Sequence, residues 1–489
     1  MSGPAAHYGN GNGDGRTRTV AKSQISAPTL LAMSPTVLID RVYLHTDFLS
    51  VLNQGCRTTV WSSSADDPSF RPLWERTGAD FHPFPSVAPL KGFPHSILRR
   101  VNDYAWDLRI PSASKQSMNR LLGRGQTSWV TRWAGRGARF VHLLGQESRI
   151  ERLVERLVVG QTRSPDARAW LDRHKPSAVF TTGPFQYNEP AVVAQAKAMG
   201  IPIIALIPSW DNLSTKNRLI FDYDAYIVWS EAAKADLHHF YPQARNRPVH
   251  IVGAPQFDLF FQDRFRQSRE EFAESQGLDP KRPILVYAIG SPNFLKGEPQ
   301  GALDFAKRVA AGELGDAQLI VRPHPLHDQG EMETLFQGFE GQALVQRPSG
   351  DSDPGPGYRG QDEGQIRQWV NTIRHADVLI NLSSTVAIEA ALCDRPIVNL
   401  DYDPAPGAPQ QQLIHEVNHL WNHYRPVAES GGVWLTKNLD ETVQATRAYL
   451  ENPERHRDER KRIAEWVCGP IDGQASRRMA QAILETLRA

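Results

Sequence analysis

Arg322 and His324 stand in the segment Arg-Pro-His-Pro, which directly follows the apolar run 317–321. A proline disfavours helical backbone in the residue before it, so both residues are expected to be extended. Side chains two residues apart in an extended segment point to the same side. A guanidinium and an imidazole presented together at a strand end are suited to hold a phosphate. We therefore predict that Arg322 and His324 bind phosphate, although an exposed polar turn could have the same sequence.

Three hydroxyl residues, Ser383, Ser384 and Thr385, separate the apolar run 376–381 from an alanine-rich helical pattern. The free N–H groups and the dipole at the start of a helix favour a bound anion, and hydroxyls add donors. The serines could equally be ordinary N-caps. Glu389 follows the two serines too far along the chain to complete a capping box. We expect Glu389 to accept hydrogen bonds from a ribose.

A dense polar segment follows the apolar run 201–207. Polar groups directly after a buried strand are costly unless they are exposed or bind something. Asp211 is our candidate general base, to be placed within hydrogen-bond reach of a sugar hydroxyl. An Asp or Asn here could also simply cap the next helix. The candidates for the acceptor side of the site are Ser209, Trp210, Asn212 and Lys216.

Two glycine loops also follow predicted strands. Gly290 and Ser291 come after the run 283–289, and Gly253 begins a loop after the run 248–252. Glycine at a strand end allows the backbone to approach a ligand closely, although both loops could be plain turns. Gly290 and Ser291 are the stronger candidates for a cleft between two domains.

The segment 415–419 reads His-Glu-Val-Asn-His, the spacing of a zinc protease helix. His423 follows four residues later, whereas the extended protease pattern places its third histidine six residues after the second. We therefore expect these histidines to line one helical face, with His423 and Tyr424 reaching the cleft. The DxD strings are no more frequent than chance allows. No metal site and no resident cofactor are predicted.

Short apolar runs alternate with helical patterns along most of the chain, which is typical of βαβ units and parallel sheets. The first series of predicted strands comprises 36–39, 57–62, 177–181, 201–207, 224–229 and 248–252. The second series comprises 283–289, 317–321, 376–381 and 395–400. A polar stretch between them marks a boundary. The predicted fold class is α/β, with two Rossmann-like domains facing an inter-domain cleft.

The expected domain organisation begins with a disordered tail that is rich in Gly, Ser, Asn and Pro. A first Rossmann-like domain carries a basic helical insertion, a second one follows, and an amphipathic helix ends the chain. The boundaries are 1–35 for the tail, 36–270 for the first domain, about 91–160 for the insertion, 271–472 for the second domain and 473–489 for the helix.

The composition excludes several classes of protein. Lys and Arg number 55 and Asp and Glu 54, and hydrophobic residues make up 40% of the 489 residues. The longest apolar run, 201–207, is too short to cross a bilayer. The chain has only three cysteines, so a disulfide scaffold is excluded and a reducing compartment is favoured. We expect a cytoplasmic protein.

The near-neutral net charge conceals a basic segment. Residues 91–140 contain ten Lys or Arg and two Asp, a local charge of 10 − 2 = +8. Trp106, Trp129 and Trp133 are interleaved with these charges. Such a mixture suits an anionic surface, either a membrane leaflet at its inner face or a phosphorylated acceptor, although a set of solvated helix faces would give the same pattern. Nucleic acid is not expected, because no recognition motif for it is present.

The order of these motifs resembles that of GT-B-fold transferases of surface-polysaccharide synthesis, in particular CDP-glycerol glycerophosphotransferase-like and capsule-type glycosyltransferases. The resemblance rests on SWDN-L-S-x-K, G-x-P-x-x-D, R-P-H-P and D-x5-S-S-T-x3-E-A, and covers about 200–450. It implies a donor bound mainly by the C-terminal half, an acceptor bound by the N-terminal half, and no obligatory metal. Arg322, His324, Ser383, Ser384 and Thr385 would contact donor phosphates, and Glu389 the ribose.

The predicted function is that of a transferase which moves a glycosyl or glycerophosphoryl group from a nucleotide-sugar or CDP-polyol donor to a cell-surface glycan or lipid-linked acceptor. Arg322 and His324 would neutralise the leaving phosphate, and Asp211 would activate the acceptor hydroxyl. A nucleotide-sugar epimerase or hydrolase of the same fold is the alternative enzyme. A non-catalytic scaffold that binds nucleotide sugars is the alternative from another class.

Overall fold

The computed structural model of the protein describes residues 27–35, 37–85, 93–121, 129–161, 164–185, 190–339, 341–347 and 362–488. Residues 1–26, where most of the expected tail falls, lie outside this range. Two parallel sheets organise the described chain, each covered by helices. This architecture confirms the predicted α/β fold with two Rossmann-like halves.

The N-terminal sheet has seven parallel strands in the order β3-β2-β1-β4-β5-β6-β7. Their bounds are β1 Thr29–Ser34, β2 Arg57–Ser62, β3 Asp80–Pro83, β4 Ala178–Thr181, β5 Ile203–Leu206, β6 Ala225–Val228 and β7 Val249–Ile251. The order reverses between β1 and β4. In open α/β sheets, ligands bind beyond the carboxyl ends of the strands at such a point.

The C-terminal sheet has six parallel strands in the order β10-β9-β8-β11-β12-β13. Their bounds are β8 Ile284–Ala288, β9 Gln318–Arg322, β10 Ala343–Val345, β11 Val378–Asn381, β12 Ile397–Leu400 and β13 Trp434–Thr436. Every residue of β8 and β11 is buried, because helices cover both faces of the sheet. The order reverses between β8 and β11.

The helices alternate with the strands, except where α4–α7 form the basic insertion. Their bounds are α1 Val37–His45, α2 Phe48–Leu52, α3 Arg71–Arg76, α4 Phe93–Arg109, α5 Ala113–Leu121, α6 Trp129–Leu143, α7 Glu147–Gln161, α8 Pro165–His174, α9 Pro190–Ala198, α10 Asn212–Thr215, α11 Glu231–Phe240, α12 Arg269–Gln276, α13 Glu298–Ala310, α14 Gln329–Leu335, α15 Glu363–His375, α16 Val386–Leu392, α17 Gln411–His419, α18 Arg425–Ala428, α19 Leu439–Glu451, α20 Arg457–Cys468 and α21 Ala475–Arg488. Three short 3-10 helices occupy Pro242–Asn246, Pro255–Phe261 and Asp263–Phe265.

The start of the first domain differs from the prediction. Residues 36–39 were expected to be a strand, but 37–39 open helix α1. Ile39, Val42 and Tyr43 are buried at helical spacing, which explains why this apolar run is a helix. The first strand is β1, which lies inside the range expected to be a tail. Its last five residues are buried.

Helix α21 closes the fold by packing on the N-terminal half. Met479 and Ile483 join the core that α2 and β1 form with their neighbours. A side chain at Gly55 would meet the side chain of Leu484 at 2.8 Å, so the glycine permits this close approach. Asp258 fixes the start of the helix by accepting N–H groups from Ala475 and Ser476, at 3.1 and 2.7 Å. The chain therefore ends in the domain where it began.

Candidate active site in the cleft between the two sheets

A cavity of about 510 Å³ lies between the two halves, at the carboxyl ends of their strands. The N-terminal half contributes Arg41, Trp210, Asp211, Gln256, Leu259 and Phe260 to its wall. The C-terminal half contributes, among others, Gly290, Ser291, Phe294, Arg322, His324, Gln365, Trp369, Ser383, Ser384, Thr385, Trp421 and His423. Nine of the predicted site residues therefore share one cavity. Ser209, Asn212, Lys216 and Glu389 do not line it.

Arg322 is the last residue of β9 and faces the cavity. Its Nη1 donates to the side-chain oxygens of Gln346 at 3.1 Å and Gln368 at 2.9 Å, and its guanidinium lies 5.5 Å from the ring centre of Trp369. Burial lowers the pKa of Arg322 to about 10, so the group stays charged at neutral pH. Within the described part of the chain, no carboxylate pairs with it. A desolvated cation with neutral neighbours is prepared to receive an anion.

His324 lies two residues further and also lines the cavity. Its Nδ1 accepts the backbone N–H of Leu326 at 3.2 Å. A neutral ring with this acceptor carries its proton on Nε2. His324 thus provides an N–H donor beside the Arg322 guanidinium.

The turn before α16 is tightly held by side chains of the core. Ser383 has a positive φ of 49°, and its N–H donates to Asn399 Oδ1 at 2.7 Å. The N–H of Ser384 donates to Asn381 Oδ1 at 3.1 Å. These two N–H groups are therefore already paired, and they do not supply the free donors that the sequence suggested. Ser383 also lines the cavity, but its hydroxyl donates to Asn418 Oδ1 at 2.8 Å, which leaves the hydroxyls of Ser384 and Thr385 as the candidate donors of this turn.

Glu389 faces the core below the cavity, with 7% of its surface exposed. Burial raises its pKa to about 7, against the attraction of Arg41 and a hydrogen bond from the Trp369 indole. Glu389 therefore does not line the cavity, where a direct contact with a ribose was predicted. On α16 the side chain of Glu389 faces the core. There it attracts Arg41 and accepts a hydrogen bond from Trp369, and both of these residues line the cavity.

Asp211 lies between β5 and α10 and is the only carboxylate among the described residues that line the cavity. Its Oδ1 accepts from Ser209 Oγ at 2.5 Å and Asn212 Nδ2 at 3.1 Å, and its Oδ2 accepts from Thr215 Oγ1 at 3.1 Å. Burial opposes ionisation, but charge on His423 and Lys216 and these hydrogen bonds leave the pKa of Asp211 lowered. Ser209 and Asn212 therefore hydrogen-bond to Asp211, and the charge of Lys216 helps to lower its pKa. None of these three residues lines the cavity.

His423 brings an imidazole to the same point from the C-terminal half. Its ring centre lies 5.0 Å from that of Trp210, and its Nδ1 lies 3.3 Å from Ser214 Oγ. Burial lowers the pKa of His423 to about 4, against the attraction of Asp211, so the ring is neutral at pH 7. A neutral imidazole beside an ionised carboxylate can accept a proton.

The expectation for the histidine segment is corrected in two respects. His415 and His419 lie on α17, as predicted, but α17 ends at His419 and His423 lies beyond it. Tyr424 does not reach the cleft, because it is fully buried and its hydroxyl donates to Asn399 Oδ1 at 2.9 Å. Glu416, the base in a zinc protease, is buried in an ion pair with Arg120 of α5 at 2.5 Å. Paired in this way, Glu416 is not placed to act as the base of a zinc protease.

Arg41 and Trp369 line the cavity but were not predicted from the sequence. Arg41 lies on α1, directly after the switch-point strand β1, and Trp369 lies on α15. Neither stands in a recognisable motif. The position of Arg41 is the signal that could have identified it, since helices after switch-point strands face the ligand.

Glu298, at the start of α13, supports the backbone of Gly290. Its Oε2 accepts the Gly290 N–H at 2.8 Å, whereas its Oε1 has no hydrogen-bond partner among the described residues. Burial raises the pKa of Glu298 from 4.5 to about 8, against the effect of that hydrogen bond. The carboxyl group is therefore protonated at neutral pH.

Replacing Glu298 with Gln should flatten the dependence of stability on pH. The raised pKa contributes stability that is fully present below pH 4.5 and is lost as the pH rises to about 8. Each pKa unit corresponds to roughly 1.4 kcal/mol. Urea unfolding of wild type and Glu298→Gln across this range tests the effect, with the exposed Glu451→Gln as control. Parallel curves for wild type and Glu298→Gln would contradict the protonated state.

Solved structures share the architecture of this protein across almost its whole length. S. aureus MnaA with UDP aligns at a TM-score of 0.53 and 12% identity, over 94% of this chain and 97% of that chain. Neisseria meningitidis UDP-GlcNAc 2-epimerase bound to UDP-GlcNAc aligns at a TM-score of 0.53 and 11% identity, over 94% of this chain and 100% of that chain. A glycosyltransferase from Rickettsia africae aligns at a TM-score of 0.50 and 9% identity, over 94% of this chain and 98% of that chain. No curated protein matches by sequence.

Two Rossmann-like sheets facing a shared cleft, with these structural relatives, define a GT-B-fold protein. The sequence profile of the CDP-glycerol:poly(glycerophosphate) glycerophosphotransferase family matches residues 194–485, which is more than half of the chain. The protein belongs to that family and is a transferase. The matched range contains all the predicted site residues together with Trp369 and His423, whereas Arg41 precedes it.

Proposed function

We propose that the protein transfers a glycerophosphoryl or glycosyl group from a nucleotide-activated donor to a hydroxyl of a cell-surface glycan or lipid-linked acceptor. The family favours the glycerophosphoryl group and a CDP-linked donor. The observation that carries the proposal is Arg322, a charged guanidinium that faces the cavity without a carboxylate partner among the described residues. The phosphate of the donor would supply the missing negative charge.

The donor would lie against the C-terminal half. Arg322 and the Nε2–H of His324 would bind the phosphate that carries the leaving nucleotide, and the hydroxyls of Ser384 and Thr385 would bind further oxygens. In a phosphoryl or glycosyl transfer, charge builds up on the leaving phosphate. Fixed donors aimed at that charge stabilise the transition state more than the bound substrate.

The acceptor would enter from the N-terminal half, beside Trp210. Its hydroxyl oxygen would form a bond to the phosphorus or the anomeric carbon of the donor. The bond from that atom to the nucleotide phosphate would break, and its electron pair would leave with the nucleotide. The hydroxyl proton would pass to His423, and the Asp211 carboxylate would stabilise the resulting imidazolium. Asp211 is itself a weaker candidate for the base, since donors occupy both its oxygens.

A thermal-shift series with nucleotides tests the donor site. CDP and CMP should stabilise the protein more than UDP, GDP, ADP or TDP at equal concentration, and EDTA should leave the increment unchanged. A ligand at 100 times its Kd contributes about 2.7 kcal/mol. Arg322→Ala should abolish the increment. Preferential stabilisation by UDP would indicate that the donor is a nucleotide sugar and not a CDP-linked compound. The absence of a shift with any nucleotide would contradict the proposal.

Product analysis separates the proposal from its alternatives. A transferase releases CMP or a nucleoside diphosphate only when an acceptor is present. An epimerase or hydrolase turns the donor over without one. A scaffold binds the donor and releases no product with any acceptor.

We also propose that the basic insertion contacts an anionic membrane, where a lipid-linked acceptor resides. In the described residues, no helix has the length and apolar character needed to span a bilayer. Helix α6 buries Ala134, Ala138 and Val141 against α4. Its outer face exposes 55–84% of Trp129, Trp133, Phe140 and Leu143. Arginines interleave with this apolar row, and the helix contains no acidic residue.

Removing two aromatic side chains should weaken this contact. The double variant Trp133→Ser with Phe140→Ser should bind anionic liposomes at least tenfold more weakly, because each buried aromatic side chain contributes about 1.5–3 kcal/mol. Co-sedimentation at low salt measures the effect, and rising salt should weaken wild-type binding. Trp466→Ser, which changes a tryptophan that is 41% exposed on α20, is the control. Wild-type protein that stays in the supernatant would contradict the membrane contact.

A further inference from the structure

Three metal-ligating side chains meet beside the cleft, outside the cavity described above. Asp401 directly follows β12, and His415 and His419 lie one turn apart on α17. One candidate ligand atom from each residue lies within 4.8 Å of the other two. His419 Nε2 is 2.9 Å from Asp401 Oδ2. The rings of His415 and His419 are 4.5 Å apart between their centres.

Asp401 is held by hydrogen bonds to its Oδ1 and its backbone, and its Oδ2 is the oxygen that faces His419 Nε2. Asn418 Nδ2 donates to Oδ1 at 3.0 Å. The Asn418 amide is itself fixed, since its Oδ1 accepts from Ser383 Oγ at 2.8 Å and from Asn399 Nδ2 at 2.9 Å. The backbone N–H of Asp401 donates to Thr436 O at 2.8 Å. Oriented carboxylates of this kind are a regular feature of metal sites, because outer hydrogen bonds fix the ligand.

We propose that Asp401, His415 and His419 bind a divalent transition-metal cation of the zinc class. Two imidazoles and one carboxylate are a ligand set that zinc accepts, with water in the fourth position. Ligand atoms about 2.0–2.2 Å from a tetrahedral zinc ion lie roughly 3.4 Å from one another. The pair of Asp401 and His419 is already close to that spacing. His415 is exposed and free to rotate the remaining distance.

The proposed cation does not make the protein a hydrolase. The glutamate between the histidines, Glu416, points to Arg120 and to Gln412 Nε2, which lies 3.0 Å from its Oε1. These contacts occupy its carboxylate, so Glu416 is not positioned as a base beside the proposed cation. The cation would instead tie α17 to the end of β12. Asp401 precedes His415 by 14 residues and lies just after a strand, which is why the spacing of the histidines alone does not predict a third ligand.

Metal titration of the full-length protein without a histidine tag tests the site. After removal of bound metal with a chelator, Co²⁺ should bind once per chain and give the strong visible absorption of a tetrahedral complex. Zn²⁺ should displace it and raise the Tm. His419→Ala and Asp401→Asn should each weaken binding at least tenfold. His415→Ala should do the same, and it changes an exposed side chain, so it separates ligand loss from misfolding.

Two variants serve as controls for the assignment. His239→Ala removes an exposed histidine on α11, and Glu416→Gln removes the carboxylate that a zinc protease would need; both should keep wild-type Co²⁺ affinity. Wild type without stoichiometric binding, or His415→Ala with unchanged affinity, would overturn the proposal. The readout is metal content and not turnover, so the result is independent of the proposed transfer reaction.

Discussion

Arg322→Ala is expected to lower kcat/KM by about 10³-fold in a transfer assay with the CDP-linked donor, while the protein stays folded. Removal of a single preorganised donor to a transition-state oxyanion costs about 10²–10³ in rate. Arginines that face a transferring phosphate reach 10³–10⁵. Arg322 belongs at the upper end of the first range, because it is charged, desolvated and held by Gln346 and Gln368 before any ligand arrives.

Two further variants make this result specific. Arg322→Lys keeps the charge but loses the planar fork that contacts both glutamines and an anion, so it should recover only part of the activity. Arg447→Ala removes an exposed arginine from α19 of the same domain and should leave kcat/KM unchanged. Loss of activity accompanied by loss of the cooperative unfolding transition would reflect misfolding. Near-normal turnover by folded Arg322→Ala protein would show that Arg322 does not bind the donor phosphate during transfer.

The strands that could be predicted are those with buried, aliphatic runs on both faces. Nine of the ten predicted strands are present, because central parallel strands such as β8 and β11 are apolar along their whole length. Four strands were missed. Three of them, β3, β10 and β13, have three or four residues and lie at sheet edges, where exposure removes the apolar pattern. The fourth, β1, is central and buried, but it lies in the range that was expected to be a tail. The misassigned run 36–39 was apolar for a different reason, since α1 buries one of its faces.

The site was predictable where its chemistry is local in sequence. Arg322 and His324 are two residues apart, and two prolines fix their backbone, so their shared direction follows from the chain itself. Arg41 and His423 are far apart in sequence, and only the docking of the two halves brings them to Asp211 and Trp369. Glu389 shows the opposite failure. The residue was placed correctly on a helix, but the packing of α16 turns its side chain to the core.

The sequence predicted Asp211 as the proton acceptor, whereas the geometry of the cavity favours His423. If His423 is the base, His423→Ala should lower kcat by about 10²–10⁴, the usual contribution of general base catalysis. Asp211→Asn, which keeps the shape of the side chain, should cost less, because it only weakens the stabilisation of the imidazolium. Added imidazole should restore part of the activity of His423→Ala and none of that of Arg322→Ala.

The opposite ranking would return the role of base to Asp211. In that case Asp211→Asn would be the more damaged variant, and imidazole would rescue neither. CDP stabilisation provides the control, since both variants should retain it if the donor lies on the C-terminal half.

The pH profile adds an independent measure. With a pKa of about 4 for His423, wild-type kcat/KM should be flat near neutral pH and fall only as the pH approaches 4. Asp211→Asn should move that fall to lower pH, because the carboxylate no longer favours the protonated ring.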